Sequence, residues 1–319
     1  MASKIRLIVN PAAGGGKARQ VIPRIETTLD DLGVGYDLVY TERPWHAVEL
    51  ARTAVQDGAN VVVAVGGDGT ANEVLNGLMQ AKQSGEAPAA MGVLCVGRGN
   101  DFAFGAGIPH DITEGCHTLA EDARRTIDVG QVSGDSLPEA RFFGNGVGIG
   151  FDTVVGLEAA KLKRLRGFLG YFVAALKTIF LYYQAPQTLV EYGETSLDQE
   201  SLMVSIMNGR RMGGGFMMAP SSSMEDGLLD LCIVRQVSRP RILALIPRFT
   251  KGTQERHPAV TTGRTEKISV TALKGVLPAH ADGETLCEQG SRLTVEIFPR
   301  QMEIVCQGCQ GEECHSSAA

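Results

Sequence analysis

Apolar and polar positions along the first part of the chain fall into alternating short blocks. Lys4–Val9, Tyr36–Tyr40, Val61–Val65 and Met91–Val96 are apolar or β-branched runs of strand length. Between them lie stretches with helical spacing. One ends near Leu32-Gly33, one covers Ala47–Gln56, and one places apolar side chains at Val74, Leu75, Leu78 and Met79. The order β-α-β-α-β-α-β predicts a parallel sheet with right-handed crossovers and helices on its faces. Beyond Thr126 the texture changes. Ile127–Val132, Arg141–Phe151, Leu189–Glu194, Ser201–Met207, Leu228–Val234, Lys267–Thr271 and Arg292–Phe298 are short runs separated by turns, with few helices between them. That pattern predicts a mostly antiparallel β-sandwich or barrel. The expected division is an α/β domain over 1–127, a β domain over 128–304 with a helical insertion at 156–183, and a disordered tail over 305–319. The last segment of the β domain can return to the first domain.

Sheets of the first kind bind ligands at the carboxyl ends of their strands. Four polar loops follow strands here, at Asn10–Lys17, Thr41–His46, Gly66–Asn72 and Gly97–Asp101, so all four are expected along one edge. In Val61–Asn72 an apolar strand meets Gly66-Gly67-Asp68-Gly69 and then a helix. Thr70 followed by Glu73 has the spacing of a capping box, which puts the helix start right after the glycines. Bare backbone amides at such a helix start, unshielded by side chains, make an anion site favoured by the helix dipole. Asp68 adds a carboxylate beside that site, which is repulsive to phosphate unless a cation intervenes, and so suggests a magnesium nucleotide. A tight βα turn with a capping Asp explains the same residues in isolation. Ala12–Lys17 is not a P-loop, because Ala18 stands where Ser or Thr would follow the lysine.

The second half holds two further polar concentrations. In Asn208–Asp230, Gly213-Gly214-Gly215 permits close backbone approach, and Asp226-Gly227 reads as a turn able to present carbonyls and a carboxylate to a hard cation. In Ala281–Glu284 two carboxylates flank a glycine, a spacing that can divide metal or phosphate geometry from general-base work. A plain turn accounts for either Asp-Gly pair equally well. Within 156–183, Lys161, Lys163, Arg164 and Arg166 precede the apolar run Phe168–Tyr183, which Lys177 interrupts. This segment is too short and too charged for a comfortable membrane span. It suits either a helix packed on the β domain or one lying at an anionic lipid surface.

Composition narrows the picture. A net charge of −6 argues against binding nucleic acid through its phosphate backbone. The 7 cysteines form no even framework, and Cys95 and Cys232 sit in apolar runs as buried free thiols would, which favours a reducing compartment. Cys306 and Cys309, followed by Cys314-His315, suggest zinc only weakly, because adjacent ligands strain one tetrahedral ion. The opening MASKIRLIVN has no basic stretch followed by a long apolar one, so no signal peptide is expected and the protein is read as cytoplasmic.

In order along the chain stand Asn10-Pro11 with Gly14, Thr41, Gly66-Gly67-Asp68-Gly69-Thr70 with Asn72, and Gly99-Asn100-Asp101-Phe102. Gly213-Gly214-Gly215 with Ala219-Pro220, Asp226-Gly227-Leu228-Leu229-Asp230 and Asp282-Gly283-Glu284 follow. Together, from Ile5 to about Ile304, this set resembles the diacylglycerol kinase-type lipid kinases. That group shares a superfamily with sphingosine kinases and, more remotely, with NAD kinases and phosphofructokinases. The resemblance is to soluble bacterial members, without the regulatory domains of the animal enzymes. It implies a three-layer α/β nucleotide domain, a β-sandwich domain and phosphorylation of a lipid hydroxyl by ATP in the cleft between them. It further implies that Mg²⁺–ATP lies on Gly66, Gly67, Asp68, Gly69, Thr70, Ala71 and Asn72, with Thr41, Asn10 and Asn100 as further contacts. A metal would sit on Asp226 with the carbonyls of Ser223 and Leu228. Glu284 is the implied general base, with Asp68 as its rival. The partner is a lipid alcohol reached by transient peripheral contact with a membrane, and a homodimer is one assembly the resemblance allows. Arg98 departs from the family, which often has threonine there, and the cysteine-bearing tail has no counterpart. Phe216, Met217, Phe168 and Phe172 either line an acceptor pocket or simply pack.

Other functions compete with this one. NAD kinases use an Asn-Glu pair after the same glycine loop for their acceptor, and Asn72-Glu73 matches it on the surface, which keeps a soluble polyol or nucleotide acceptor in view. A non-catalytic nucleotide-binding regulator and a membrane-surface scaffold are the non-enzymatic readings.

Overall fold

The computed structural model describes residues 4–161, 173, 177 and 185–307. They form two compact units. One comprises residues 4–96, 106–127 and 302–307, and the other residues 97–105 and 128–301.

The first unit is a parallel sheet. Its strands are β1 (Ile5–Val9), β2 (Tyr36–Tyr40), β3 (Val61–Gly66) and β4 (Ala90–Cys95), in the spatial order β4-β3-β1-β2. Ile5 pairs with both Tyr36 and Val61, and Val61 pairs with Ala90. Every residue of β3 and β4 is buried, as central strands covered on both faces require. The helices between the strands are α1 (Ala13–Asp31), α2 (His46–Gln56) and α3 (Asp68–Gln83). In α1, Gly14, Gly15 and Gly16 have positive φ, so regular helix begins only with Lys17. Leu7, Val9, Ile25, Leu29, Val63 and Leu94 anchor the core.

The short helix α4 (Asp101–Gly105) belongs to the second unit, and α5 (Ile112–Glu121) to the first. The sequence pattern had not marked α5. Its start is set by Asp111, whose carboxylate accepts from the amides of Thr113 and Glu114. The strand β5 (Arg124–Gly134) then runs from the first unit into the second.

The second unit is antiparallel. Its strands are β6 (Arg141–Phe143), β7 (Gly146–Gly150), β8 (Gln187–Tyr192), β9 (Thr195–Met207), β10 (Leu229–Arg235), β11 (Val260–Thr265), β12 (Lys267–Lys274), β13 (Leu277–Ala281), β14 (Glu284–Gly290) and β15 (Arg292–Val305). One run is ordered β14-β13-β7-β9-β10-β11, and another β9-β8-β12-β15. The long β9 serves both, pairing Thr195–Glu200 with β8 and Met203–Met207 with β7. Phe143, Val147, Ile206, Leu231, Val270 and Leu293 fill the core. The predicted strand Arg292–Phe298 is only the first part of β15. Its end lies in the first unit, where Ile304 pairs in parallel with Met91.

Among the described residues, two longer helices interrupt the strands. One is α6 (Phe151–Lys161), which starts ahead of the predicted insertion at 156. Lys163, Arg164, Arg166, Phe168, Phe172 and most of the apolar run to Tyr183 lie outside the described residues, as do Cys309, Cys314 and His315. The other is α7 (Arg239–Lys251), which buries Ile242, Leu245 and Phe249 at helical spacing. The sequence pattern missed it because Pro247 lies inside it.

Candidate active site

The first unit places Asn10, Thr41 and the head of α3 at the carboxyl ends of β1, β2 and β3. The Asn10 amide donates to the Val65 carbonyl at 3.1 Å, and the Thr41 amide to the Val9 carbonyl at 2.9 Å, so both loops leave the sheet from fixed points. The Asn10 side chain then ties its own loop to the head of α3. Its Nδ2 donates to Thr70 Oγ1 at 3.1 Å and its Oδ1 accepts from the Ala12 amide at 3.0 Å.

Between β3 and α3 the turn is tight. A Cβ on Gly66 would lie 2.4 Å from Thr70 Oγ1, so only glycine lets the helix begin this close to the strand. Gly67 is the N-cap in extended backbone, and Asp68 opens the helix. The first amides of α3 therefore start at Asp68, Gly69 and Thr70, where a phosphate group would be favoured.

The capping box is not formed. No side chain caps α3, and Glu73 Oε2 instead accepts from the Ala47 amide at 3.0 Å. The physical reason lies in α2, whose N-cap position is Trp45 in left-handed backbone and offers no side-chain acceptor. Glu73 serves the neighbouring helix start. Asn72 is buried, and Asn76 Nδ2 donates to its carbonyl at 2.8 Å and to its Oδ1 at 3.2 Å.

In the second unit Asn100 has φ 51°, and its side chain donates to the Gly97 carbonyl at 3.3 Å. Beside it, Asp101 is buried and joins two segments far apart in sequence. Its Oδ1 accepts from Arg211 Nε at 2.8 Å and its Oδ2 from the Gly214 amide at 2.9 Å. The Arg211 guanidinium also donates to the Gly99 carbonyl and covers the Phe104 ring at 4.0 Å. This ion pair was missed from sequence. Charge pairing 110 residues apart leaves no local pattern. Arg98 is exposed.

The two Asp-Gly pairs hold different positions. The Asp226 carboxylate accepts from the Leu228 amide at 3.1 Å and pairs with Arg264, whose Nε lies 3.4 Å from Asp230 Oδ1. The Gly227 amide donates to the wholly buried Asp128 at 2.7 Å, and the other Asp128 oxygen accepts from the Arg300 amide at 2.7 Å. In the sequence Asp128 is only the first residue of the predicted β domain. A lone acid inside the apolar run Ile127–Val132 was the available signal.

As a cation site this turn offers hard oxygen donors, the carboxylate of Asp226 and the carbonyls of Ser223 and Leu228. The Ser223 hydroxyl accepts from the Glu225 amide, and a metal would compete with the Arg264 guanidinium for Asp226. Among the described residues no three metal-ligating side chains gather. A cation at this turn would rest on one carboxylate and two backbone carbonyls, with Arg264 displaced from Asp226.

Asp282 and Gly283, with φ 48° and 84°, are the two central residues of the hairpin between β13 and β14, which suits an Asp-Gly pair. The Asp282 carboxylate is buried. It accepts from the Gly144, Asn145 and Gly146 amides at 2.8, 2.9 and 2.9 Å. The expected division of labour is thus corrected: Asp282 is committed to holding the hairpin and is not turned to phosphate or metal. Glu284 follows as the first residue of β14, half-buried at the mouth of the hairpin. Asp68 lies in the first unit and Glu284 in the second.

Comparison with known proteins gives the chain a family. Residues 4–132 match the diacylglycerol kinase catalytic domain, and residues 145–306 match the YegS C-terminal NAD kinase beta sandwich-like domain. A diacylglycerol kinase of Mycobacterium tuberculosis (strain CDC 1551 / Oshkosh) is 28% identical over 285 residues, 89% of each chain. A probable lipid kinase YegS-like of Enterobacter sp. (strain 638) is 31% identical over 302 residues, 93% of each. The crystal structure of a diacylglycerol kinase from Bacillus anthracis str. Sterne shares the fold, with a TM-score of 0.70 at 19% identity over 95% of this chain and 97% of that one. The α/β unit with its glycine-bounded helix head, the β-sandwich unit with its Asp-Gly turns and these matches lead to one conclusion: the chain belongs to the diacylglycerol kinase and YegS-like lipid kinase family.

Proposed function

We propose that this protein transfers the γ-phosphoryl group of Mg²⁺–ATP to the hydroxyl of diacylglycerol or a related lipid alcohol. The observation that carries this reading is family membership over both units with Asp68 and Glu284 in place. ATP is bound on Gly66–Asn72 with Thr41, Asn10 and Asn100 as further contacts, its phosphates facing the first amides of α3. Asp68 organises the Mg²⁺ carried by the nucleotide. Glu284 accepts the proton of the lipid hydroxyl. The freed oxygen bonds to the γ-phosphorus, the bond from that phosphorus to the bridging oxygen breaks, and ADP leaves.

A lipid acceptor is supported by the second unit. A small apolar cavity of about 60 Å³ lies under α7, walled by Phe151, Val155, Leu202, Phe216, Met218 and Phe249. Acyl chains suit such a wall, whereas a polyol would leave its hydroxyls without partners there. The NAD kinase-like alternative is not favoured, because Asn72 is buried in α3 and Glu73 is engaged with α2. Reaching a lipid requires visits to a membrane surface. Among the described residues no helix is long and apolar enough to cross one.

The test is transfer of label from γ-labelled ATP to lipid alcohols in mixed micelles. The panel holds diacylglycerol, monoacylglycerol, ceramide, sphingosine and phosphatidylglycerol, with Glu284→Gln and Asp68→Asn beside the unaltered protein. Label in one lipid, lost in both variants, is the expected result. Tight ATP binding without label in any lipid would overturn the lipid reading.

A further inference from the structure

The hairpin that presents Glu284 has a second support besides Asp282. His280, two residues before the turn, points its ring into the unit with 7% of its side chain exposed. Its Nδ1 accepts from the Gly283 amide at 3.3 Å. A nitrogen that accepts carries no proton, so the ring proton sits on Nε2. That nitrogen faces Asp152 Oδ2 at 3.7 Å, and Asp152, with 4% of its side chain exposed, is itself fixed by accepting from the Thr153 amide at 2.8 Å through Oδ1. The pair has a place built for it. A Cβ on Gly148 in β7 would lie 2.2 Å from Asp152 Oδ2 and 2.4 Å from His280 Nε2, so glycine there is what leaves room for the two side chains to meet.

Asp152, in the wall of the apolar cavity, lies beside the His280 ring at 3.7 Å, beyond hydrogen-bond reach, and His280 holds the amide of Gly283, the residue before Glu284. A buried polar pair of this kind costs desolvation, and an apolar residue of similar size would fill the same space without that cost. We propose that His280, packed beside Asp152, is a positioning residue that fixes the Asp282-Gly283 turn and through it the placement of Glu284 toward the acceptor hydroxyl. The proposal rests on the reading of Glu284 as the base.

The test compares His280→Phe, which keeps the ring shape and removes the acceptor, with His280→Asn, which restores an acceptor near Nδ1. Glu284→Gln runs beside them. Steady-state kinetics with Mg²⁺–ATP and the accepted lipid are read together with deuterium uptake over residues 277–290. His280→Phe is expected to lower kcat about 10- to 100-fold, the cost of a slightly misplaced group. KM for ATP stays within about twofold, because the nucleotide contacts are elsewhere. Uptake over 277–290 rises. His280→Asn recovers most of kcat and the original uptake. Unchanged kcat and uptake in His280→Phe would overturn the proposal. Equal loss in both His280 variants would also overturn it, since ring packing and not the acceptor would then be the cause. Full activity in Glu284→Gln would instead sink the base assignment, while the uptake comparison still judges whether His280 holds the turn.

Discussion

The two Asp-Gly turns of the second unit share a dipeptide and little else. Asp282 is buried and gathers three backbone amides from the Gly144–Gly146 bend, so it works as an internal anchor. Asp226 stands at the surface with Arg264, and its turn is held from behind by Asp128. A carboxylate that satisfies buried amides cannot be turned outward without leaving those donors unpaired. One that faces a guanidinium in solvent can exchange partners at little cost. What lies behind a turn, and not the turn's own sequence, decides which of its groups is available for chemistry. By that standard Asp282 serves the β13–β14 hairpin itself.

The contrast can be broken or sharpened by substitution. The largest expected effect is Asp282→Ala, which orphans three buried amides and costs about 3–5 kcal/mol, read by urea unfolding. A loss below about 1 kcal/mol would remove the distinction between the turns. Next comes Asp128→Ala, which releases the Gly227 and Arg300 amides for about 2–3 kcal/mol. Asp128→Asn should recover part of that loss by keeping one acceptor.

A smaller effect is expected at Asp230. Burial holds its carboxyl above the usual carboxylate range, and Arg264 pulls it back. An acid raised in the folded state favours its protonated form. Its contribution is therefore present at low pH and is lost as pH rises through the folded value. Arg264→Met should deepen that loss. Relative to the unaltered protein the variant should be weaker at pH 7 than at pH 4, by about 1 kcal/mol; equal weakening at both pH values would show that Arg264 acts by packing alone. Smallest of all is Asp226→Ala, an exposed pair, at under about 1 kcal/mol in the same unfolding series.

Much of this architecture was legible in the chain. Buried parallel strands such as Val61–Gly66 are continuous apolar runs, and strand, glycine and helix in succession locate the head of α3 without any structure. Glu284 stood out as the acid of the Asp282-Gly283-Glu284 motif on which the family resemblance partly rests. What escaped were relations between distant segments. The Asp101–Arg211 pair, the grip of Asp128 on Gly227 and the meeting of His280 with Asp152 each join residues about a hundred or more positions apart. The capping box failed for a related reason: Thr70 and Glu73 have the right spacing, but an uncapped neighbouring helix competes for the glutamate. Local spacing proposes partners, and tertiary competition assigns them.

The measurement that tests the central claim most directly is single-turnover transfer of γ-label to the accepted lipid by Glu284→Gln, with ATP binding measured on the same protein. The account predicts ATP affinity within about twofold of the unaltered protein, because the nucleotide residues are untouched, and a transfer rate lower by about 10²-fold or more, because the hydroxyl proton has lost its acceptor. Transfer at the unaltered rate by Glu284→Gln, with loss confined to Asp68→Asn, would contradict it and move the base to the head of α3.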